Sequence, residues 1–583
     1  MSDLNPATSH LLYEVDDAPP LSVSLPLAGQ TIALILAGIT LTPIIALTAA
    51  GIVDVWGNWV VFAALAISGV TTILQARPVG NFGAGYVLFM GTSGAFLAVS
   101  ISALEAGGLP LLGSLVLVSA LVQFLLAAKL SLFRDVINPT VGGTVVCLIA
   151  VTVMPIGFDM VSTIPEGFNT FASAPAITAT VTLVVILLLS FYTAGKTRLW
   201  APLIGIIIGF LVAWPFNLTD LTAVSEASWV GLPDQGWPGL NTDFDAAFWT
   251  LLPSFIIVTI IGALETFGDG IAIQDISSKK VKTTDYRVVQ GAVNADGLGN
   301  FLSGLAGTLP NTTYSTSISV VDLTGVASRK VGLYGGIILL GLAFVPKLSA
   351  LLQAIPTPVA GAFIIVFLVL LFSHGIRLVM SEGMSFDNGI VFGLALWLGI
   401  GFQNQQLFSG LLPDYLASLL NNGMTAGGVA AVFLSWLVSL KNKRQARNVQ
   451  PLDKAGLAGA LAFVTEKARE SDWRGEDLNR LVLAVEEAFV YMMTNTPEGV
   501  SELELRIRAA VEHAEVEIRC GETKSNVETQ LRNIDTSENP ADLGLKVLKY
   551  MTDELKHQQF SNGEFLILQL NQRVIRSARL DQV

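Results

Sequence analysis

Two carboxylates, Glu265 and Asp269, lie four residues apart in the otherwise apolar segment IIVTIIGALETFGDG. Helical residues at this spacing share one face, so both acids would project from the same side of a helix. Gly262, Gly268 and Gly270 flank them and would let a ligand approach the backbone closely. An ionisable group inside a membrane is costly and usually functional. We therefore predict that Glu265 binds a substrate.

Two other acids allow more than one interpretation. Asp269 could couple an ion to transport, or it could pair with Lys279 or Lys280 at the end of the segment. Asp296, in NADGLGNFLSG, could likewise carry a coupling proton or ion, or it could cap or brace a helix near a basic loop. Both alternatives remain open at this point.

A polar stretch, GTLPNTTYSTSISVVDLT at residues 307–324, interrupts the apolar pattern with a proline and a run of hydroxyls. Irregular backbone at membrane depth survives only where protein or a cavity covers it, and a helix that restarts there offers N–H groups to a ligand. Residues 81–100 are similarly rich in glycine and carry Thr92 and Ser93. In transporters built from two repeats, helices that are interrupted at matching positions of the two halves mark the binding site.

The whole chain has the composition of a membrane protein. Its 583 residues are 52% hydrophobic and 14% charged, with a mean hydropathy of +0.62, which exceeds what a water-soluble globule tolerates. Two cysteines, Cys147 and Cys520, lie too far apart in sequence to suggest a disulfide framework. Residues 1–26 lack a basic segment with a cleavage site, so we expect a cytoplasmic arm and not a signal peptide.

Fourteen apolar segments between residues 27 and 440 could each cross a membrane. They are predicted at 27–50, 58–75, 84–104, 110–132, 139–157, 175–193, 199–216, 249–265, 287–307, 311–325, 332–346, 353–373, 388–402 and 423–440. With the N-terminus inside, all Lys and Arg of the loops except Lys347 fall on the inner side. The pattern predicts a multi-pass inner-membrane protein with both termini cytoplasmic.

Five motifs together resemble the nucleobase/ascorbate transporters of the uracil and xanthine permease type. In chain order they are INPTVGGTVVCLIAV (137–151), ALETFGDG (263–270), NADGLGNFLSGLAGTLPNTTYS (294–315), VASRKVG (326–332) and IPTPVAGA (355–362). The resemblance implies an α-helical polytopic fold of seven plus seven inverted repeats, with core and gate domains. It also implies short strands in helices three and ten, where substrate binds.

The resemblance assigns roles to particular residues. Glu265 is similar to the carboxylate that hydrogen-bonds the base, and Asp269 and Asp296 to proton-linked or structural carboxylates. The strand regions add Thr92, Ser93, Tyr314, Ser315, Thr316 and Ser317 as substrate-binding candidates. The family usually has Glu or Gln where this chain has Thr316, and a hydroxyl cannot bridge an adjacent donor and acceptor as an amide does.

The last part of the chain differs in composition. We predict a fourteen-helix domain at 27–440, a basic linker at 441–452 and a soluble α+β domain at 453–583. Two segments, LAVEEAFVYMMTN and DLGLKVLKYMTDEL, resemble helices of the histidine-kinase-like ATPase domains of anti-sigma-factor kinases. Tyr491 replaces the Asn that would hold magnesium, so the resemblance indicates a pseudo-ATPase that dimerises or binds a cytoplasmic regulator.

Three function classes follow from these observations. The first is a proton- or sodium-coupled symporter that imports a nucleobase such as uracil or xanthine, or a related heterocycle, by an elevator-type motion. The second is an anion carrier of the related sulfate-transporter fold, and the third is a substrate sensor that signals through the C-terminal domain. For each we expect a lipid-embedded homodimer that is not an enzyme and has no metal, cofactor or nucleic-acid partner.

Overall fold

A computed structural model describes residues 11–572 except 129–138, 163, 165–169, 195–197, 199, 280–282, 382–383, 404–406, 409–410, 412–419, 421–422, 442–444, 497–500, 511, 521–526, 528–529, 531–542 and 561–562. The chain divides into two compact units. The helical unit comprises residues 7–279 and 291–438, and the tail unit comprises residues 1–6, 280–290 and 439–583.

Long apolar helices make up most of the helical unit. They are α1 (Leu21–Ala49), α2 (Val53–Ala76), α3 (Leu97–Ala128), α4 (Pro139–Ser162), α5 (Ala174–Tyr192), α6 (Ala201–Ala213), α7 (Thr222–Glu226), α8 (Ala246–Ile276), α9 (Tyr286–Ala306), α10 (Thr316–Thr324), α11 (Arg329–Ala343), α12 (Pro346–Gln353), α13 (Thr357–Ser381), α14 (Phe386–Gln403) and α15 (Gly423–Lys441). The first five residues of α9 belong to the tail unit.

Eight of the described helices are long and apolar enough to cross a membrane, or nine if the bent pair α11 and α12 forms one span. The chain is therefore a multi-pass membrane protein, and the count of fourteen spans remains a prediction. The predicted third and fourth spans run together as α3, which is broken where Gly107 and Gly108 leave helical geometry. Gly108 has a φ of 66°, which favours glycine at this break.

Two of the predicted spans contain extended backbone, as the family resemblance implied for helices three and ten. Residues 90–92, inside the predicted span 84–104, form strand β1 (Met90–Thr92), and residues 311–313 form strand β2 (Asn311–Thr313). The strands pair antiparallel, with Gly91 opposite Thr312. All six residues are buried. Their pairing satisfies backbone groups that lipid could not.

Glycine residues allow the backbones of two pairs of helices to touch. A Cβ on Gly336 of α11 would lie 2.6 Å from the carbonyl oxygen of Gly69 in α2, and a Cβ on Gly69 would lie 2.7 Å from the nitrogen of Leu340. Gly375 of α13 approaches Gly143 and Cys147 of α4 in the same way. Small residues allow this close packing in a membrane, where apolar side chains gain little by leaving lipid.

The described residues of the tail unit form a five-stranded antiparallel sheet and three helices. The strands are β3 (Gln445–Pro451), β4 (Glu502–Ala509), β5 (His513–Cys520), β6 (Glu554–Phe560) and β7 (Gly563–Asn571), in the order β3-β4-β5-β7-β6. The helices are α16 (Lys454–Glu470), α17 (Gly475–Asn495) and α18 (Leu543–Met551).

Apolar and polar side chains alternate along the strands, so one face of the sheet is apolar. Leu503, Leu505 and Ile507 of β4 are buried and pack in one core with helix residues such as Phe489 and with Trp473. Strand β3 lies within the segment predicted as a linker, and its whole length pairs with β4. The predicted linker residues 442–444 lie outside the described residues.

Candidate substrate site

The paired strands position Tyr314 at the start of α10. The phenol hydroxyl of Tyr314 donates to the carbonyl oxygen of Thr92 at 2.8 Å, so it joins the ends of β2 and β1. Its ring packs against Gly91 and Gly38, where an added Cβ would lie 2.7 Å from the ring and 2.9 Å from the hydroxyl, respectively. These two positions therefore need glycine to admit the ring.

Asp269 of α8 holds the segment between β2 and α10. Its two carboxylate oxygens accept hydrogen bonds from the hydroxyls of Thr313 and Ser315, each at 2.7 Å. In the described part of the chain, Asp269 thus bonds to these two hydroxyls and forms no ion pair with Lys279, and its role in coupling remains a prediction. Lys280, the other predicted partner, lies outside the described residues.

Asp296 of α9 is fully buried in a chain of polar side chains. Its Oδ2 accepts from the amide of Gln123 at 2.7 Å and from the hydroxyl of Thr266 at 3.1 Å. The Thr266 hydroxyl also lies 3.2 Å from that of Thr313, which donates to Asp269. The two hydroxyls thus lie between Asp296 and Asp269, and each donates its single proton to one of these carboxylates. Oδ1 of Asp296 has no partner in the described part of the chain.

The same network continues into β2. The Gln123 carbonyl oxygen accepts from Asn300 at 2.7 Å, and Asn300 accepts from the backbone N–H of Asn311 at 2.7 Å. Asn311 then donates to the hydroxyl of Ser68 at 3.1 Å. A buried polar network with most of its bonds made fixes its members in place.

Glu265 lies one helical turn before Asp269 and differs from it in its surroundings. Its side chain is half-buried, and it has no hydrogen-bond partner among the residues that the structure describes. Tyr314 lies within electrostatic range of Glu265. Asp269 and Asp296 are bonded to neighbouring polar side chains, whereas no hydrogen bond to Glu265 is formed by the residues that the structure describes.

The other predicted site residues divide into available and engaged groups. Thr316 is partly exposed at the first turn of α10, and Ser315 is exposed although it donates to Asp269. Ser317 is fully buried, and its hydroxyl accepts the backbone N–H of Phe89 at 2.9 Å, so it supports the strands. Thr92 donates to the carbonyl of Ile39 at 2.8 Å.

Ser93 is also buried, and its hydroxyl has no partner within the described ranges. Its backbone N–H donates to the carbonyl of Pro310 at 2.8 Å, next to β2. The ring of Phe367 from α13 lies against Gly94, one residue further along the chain. The structure thus brings all nine predicted site residues to the strand pair and the faces of α8, α9 and α10 beside it.

Sequence reasoning missed Gln123, Asn300, Asn311 and Thr266. Gln123 is the single amide in the apolar run LVQFLLAA, and this isolation was the available signal. Asn300 and Asn311 lie inside the motif that carries the family resemblance. Their hydrogen bonds become visible only once the helices are assembled.

The fold and the site together define a membrane transport protein. Apolar helices surround a polar region, and two interrupted helices meet there as paired strands. Irregular backbone of this kind, covered by protein at membrane depth, is a feature of transporter binding sites.

Residues 23–407 match the family model Xan_ur_permease, described as a permease family. The chain is also 31% identical over 428 residues to the putative purine permease CPE0397 of Clostridium perfringens, covering 73% of this chain and 92% of that protein. It is 30% identical to the xanthine permease XanP of Escherichia coli, covering 73% and 94%, respectively. The chain belongs to this permease family, and it is a transporter and not an enzyme.

A solved structure shares similarity with the chain. The transmembrane domain of the cyanobacterium bicarbonate transporter BicA aligns over 71% of this chain and 99% of that chain, at 15% sequence identity and a TM-score of 0.47.

Proposed function

We propose that the protein imports a purine base of the xanthine type, or a related nucleobase such as uracil, across the inner membrane. The observation that carries this proposal is the half-buried carboxylate of Glu265, which has no hydrogen-bond partner among the described residues and lies one helical turn from Asp269, the residue bonded to Thr313 and Ser315. A carboxylate accepts hydrogen bonds only, so it suits the N–H groups of a nucleobase edge. The names of the relatives from Clostridium and Escherichia support the same substrate class.

Thr316 is the second specificity element in the proposal. Its hydroxyl lies at the first turn of α10, partly exposed, where the family resemblance places a Glu or Gln. One hydroxyl makes fewer directional bonds than an amide. We expect a base that needs only one polar partner on this side, together with backbone N–H groups of the helix start.

Coupling to a cation follows from the charges around the site. Glu265, Asp269 and Asp296 are three carboxylates, and neither α8 nor α10 contains a Lys or Arg. Buried carboxylates without basic partners are costly unless protons or cations neutralise them. The proposed mechanism is therefore proton or sodium symport, with both termini cytoplasmic and an elevator-type motion of the helices that carry the site.

The tail unit is proposed to regulate or dimerise the transporter. Tyr491, which replaces the magnesium-binding Asn, is buried in the core of that unit and cannot offer a metal ligand to solvent. Burial, and secondly the neighbouring Glu486, raise the pKa of Glu487. We expect contact with a second copy or a regulatory protein and no nucleotide hydrolysis.

Thermal denaturation of the purified protein tests the substrate class. Xanthine, uric acid, hypoxanthine and uracil are compared with bicarbonate and sulfate at matched concentrations. A ligand present at a hundred times its dissociation constant stabilises by about 2.7 kcal/mol, so binding raises the melting temperature. We expect a purine base to do so in the parent protein and not in Glu265→Gln. Stabilisation by the anions alone would establish the anion carrier instead.

A further inference from the structure

The segment Leu11–Asp17, before α1, pairs with the connection between α10 and α11. Tyr13 and Val326 form a parallel β-bridge. Six hydrogen bonds join the two segments. Five run from Leu12 N and Tyr13 N to Gly325 O at 2.7 and 3.1 Å, from Ala327 N to Tyr13 O at 2.9 Å, from Arg329 N to Val15 O at 3.1 Å, and from Ser328 Oγ to Asp17 O at 2.6 Å. The sixth runs from the Arg329 guanidinium to the carboxylate of Asp16.

The same segment also reaches the end of α8. The carboxylate of Glu14 accepts the backbone N–H of Lys279 at 2.8 Å, three residues after α8 ends at Ile276. Glu14 itself is held by a turn in which its backbone N–H donates to Asp17 at 2.8 Å and its carbonyl accepts from Asp17 at 3.2 Å.

These two attachments connect the helices that carry the site. Helix α8 carries Glu265, and α10 begins at Thr316 and ends one residue before Gly325. At about 1.5 Å per residue, α8 ends about 16 Å from Glu265, and Glu14 binds the chain three residues beyond that end. Asp269 joins α8 to the start of α10 through Ser315, and Leu11–Asp17 joins the opposite ends.

We propose that Leu11–Asp17 is a strap that fixes the spacing of α8 and α10, and that Glu14 is a positioning residue for substrate binding. By holding α8 and α10 together, the strap keeps Glu265 and Thr316 at the separation that a bound base requires. The strap therefore raises the affinity of the protein for that base. The inference rests on the proposed function, because it assigns both groups to one substrate.

A disulfide tests the strap without any substrate. In a Cys147→Ala, Cys520→Ala background, Tyr13→Cys is combined with Val326→Cys. Paired strands lie about 4.8 Å apart, within the Cα separation of about 4.4–6.8 Å that a disulfide spans. Mild oxidation should protect both thiols from alkylation. Alkylation is carried out after unfolding in detergent, because position 326 is buried in the native protein. The control pair, Leu12→Cys with Val326→Cys, should then be alkylated at both thiols, because neighbouring strand residues face opposite sides and form no disulfide. Equal protection of both pairs, or of neither, would exclude the strap.

Transport kinetics test the positioning role of Glu14. Glu14→Ala removes the acceptor for Lys279 N–H, and we expect KM for the transported base to rise about tenfold while Vmax changes by less than about twofold. Glu14→Gln keeps an amide oxygen that can accept the same bond and should restore a nearly parental KM. Glu105→Ala, at an exposed acid outside the strap, is the charge-matched control.

Two outcomes would contradict the positioning role: an equal KM for Glu14→Ala and Glu105→Ala, or a KM for Glu14→Gln as high as that for Glu14→Ala. A parent protein that transports no base would contradict the proposed function instead. In that case the disulfide result would still decide whether the strap exists.

Discussion

Glu265 and Asp269 lie one turn apart on α8, yet their surroundings give them different tasks. Asp269 accepts two hydroxyl hydrogen bonds from the chain around β2 and is therefore part of the frame. Glu265 has no such partner in the described structure and is half-exposed. A group that binds substrate must keep its hydrogen-bonding capacity free until the substrate arrives, and Glu265 meets this condition.

The first residue prediction is that Glu265→Gln lowers uptake of the base by about 10- to 100-fold. A hydrogen bond to a charged group contributes about 1.5–3 kcal/mol, and the amide is a weaker acceptor. Expression and elution volume should stay parental because Glu265 supports no described contact. Glu105→Gln, an exposed acid in the same unit, is the matched control. Unchanged uptake by Glu265→Gln would remove Glu265 from the site.

The second residue prediction is that Thr316→Gln changes substrate choice. The amide restores a donor and an acceptor at the start of α10. The substrate preference should therefore move towards uracil or xanthine and away from bases that offer only one hydrogen-bonding group on this side. Competition of unlabelled bases against a labelled one measures the profile. Ser319→Gln, one turn further along α10, is the control. Identical profiles for all three proteins would mean that α10 does not read the substrate.

At the scale of the elements, the apolar pattern predicts most helices, whereas only the family resemblance implied the two short strands. Apolar runs identify α1, α2 and α8 directly, because a run long enough to cross the membrane can be recognised from consecutive residues alone. Strand β1 has three residues and a partner more than 200 positions away, so its pairing has no local signal. Gln123 and Asn300, likewise 177 positions apart, meet only in the assembled structure.

Close packing of α2 on α11 gives a prediction about stability. Gly336→Ala would place a Cβ against the backbone of Gly69 and Ile73, and such overpacking costs about 1–3 kcal/mol. We expect the melting temperature of the purified protein to fall by several degrees. Gly341→Ala in the same helix meets nothing within 4 Å and should leave the melting temperature unchanged or slightly raised. Equal effects of both substitutions would contradict this packing.

At the scale of the whole molecule, the tail unit has the features of a domain that folds by itself. Its sheet and helices enclose one apolar core. The sequence pattern indicated a soluble segment, but the predicted domain began at residue 453, after β3. The polar composition of QARNVQP is typical of a linker, and only its pairing with β4 identifies it as a strand. A short polar edge strand has little hydrophobic signal.

The pairing of β3 with β4 predicts where the tail unit can be cut from the rest of the chain. Residues 442–583 should give a cooperative thermal transition, whereas residues 453–583 lack β3 and should melt earlier or aggregate, because β4 becomes an exposed edge. Circular dichroism and size-exclusion chromatography compare the two fragments. Calorimetry should detect no magnesium-dependent ATP binding to the longer one. Equal stability of both fragments, or micromolar ATP binding, would overturn this description of the tail.

Uptake of radiolabelled xanthine into proteoliposomes that contain the full chain tests the central claim most directly. With an inward proton or sodium gradient, the parent protein should accumulate the label above equilibrium. Collapse of the gradient, or Glu265→Gln, should abolish that accumulation. Labelled bicarbonate in the same vesicles should stay at the level of protein-free liposomes. Gradient-independent entry of bicarbonate, with no accumulation of xanthine or any other nucleobase, would contradict the assignment of this site to a nucleobase.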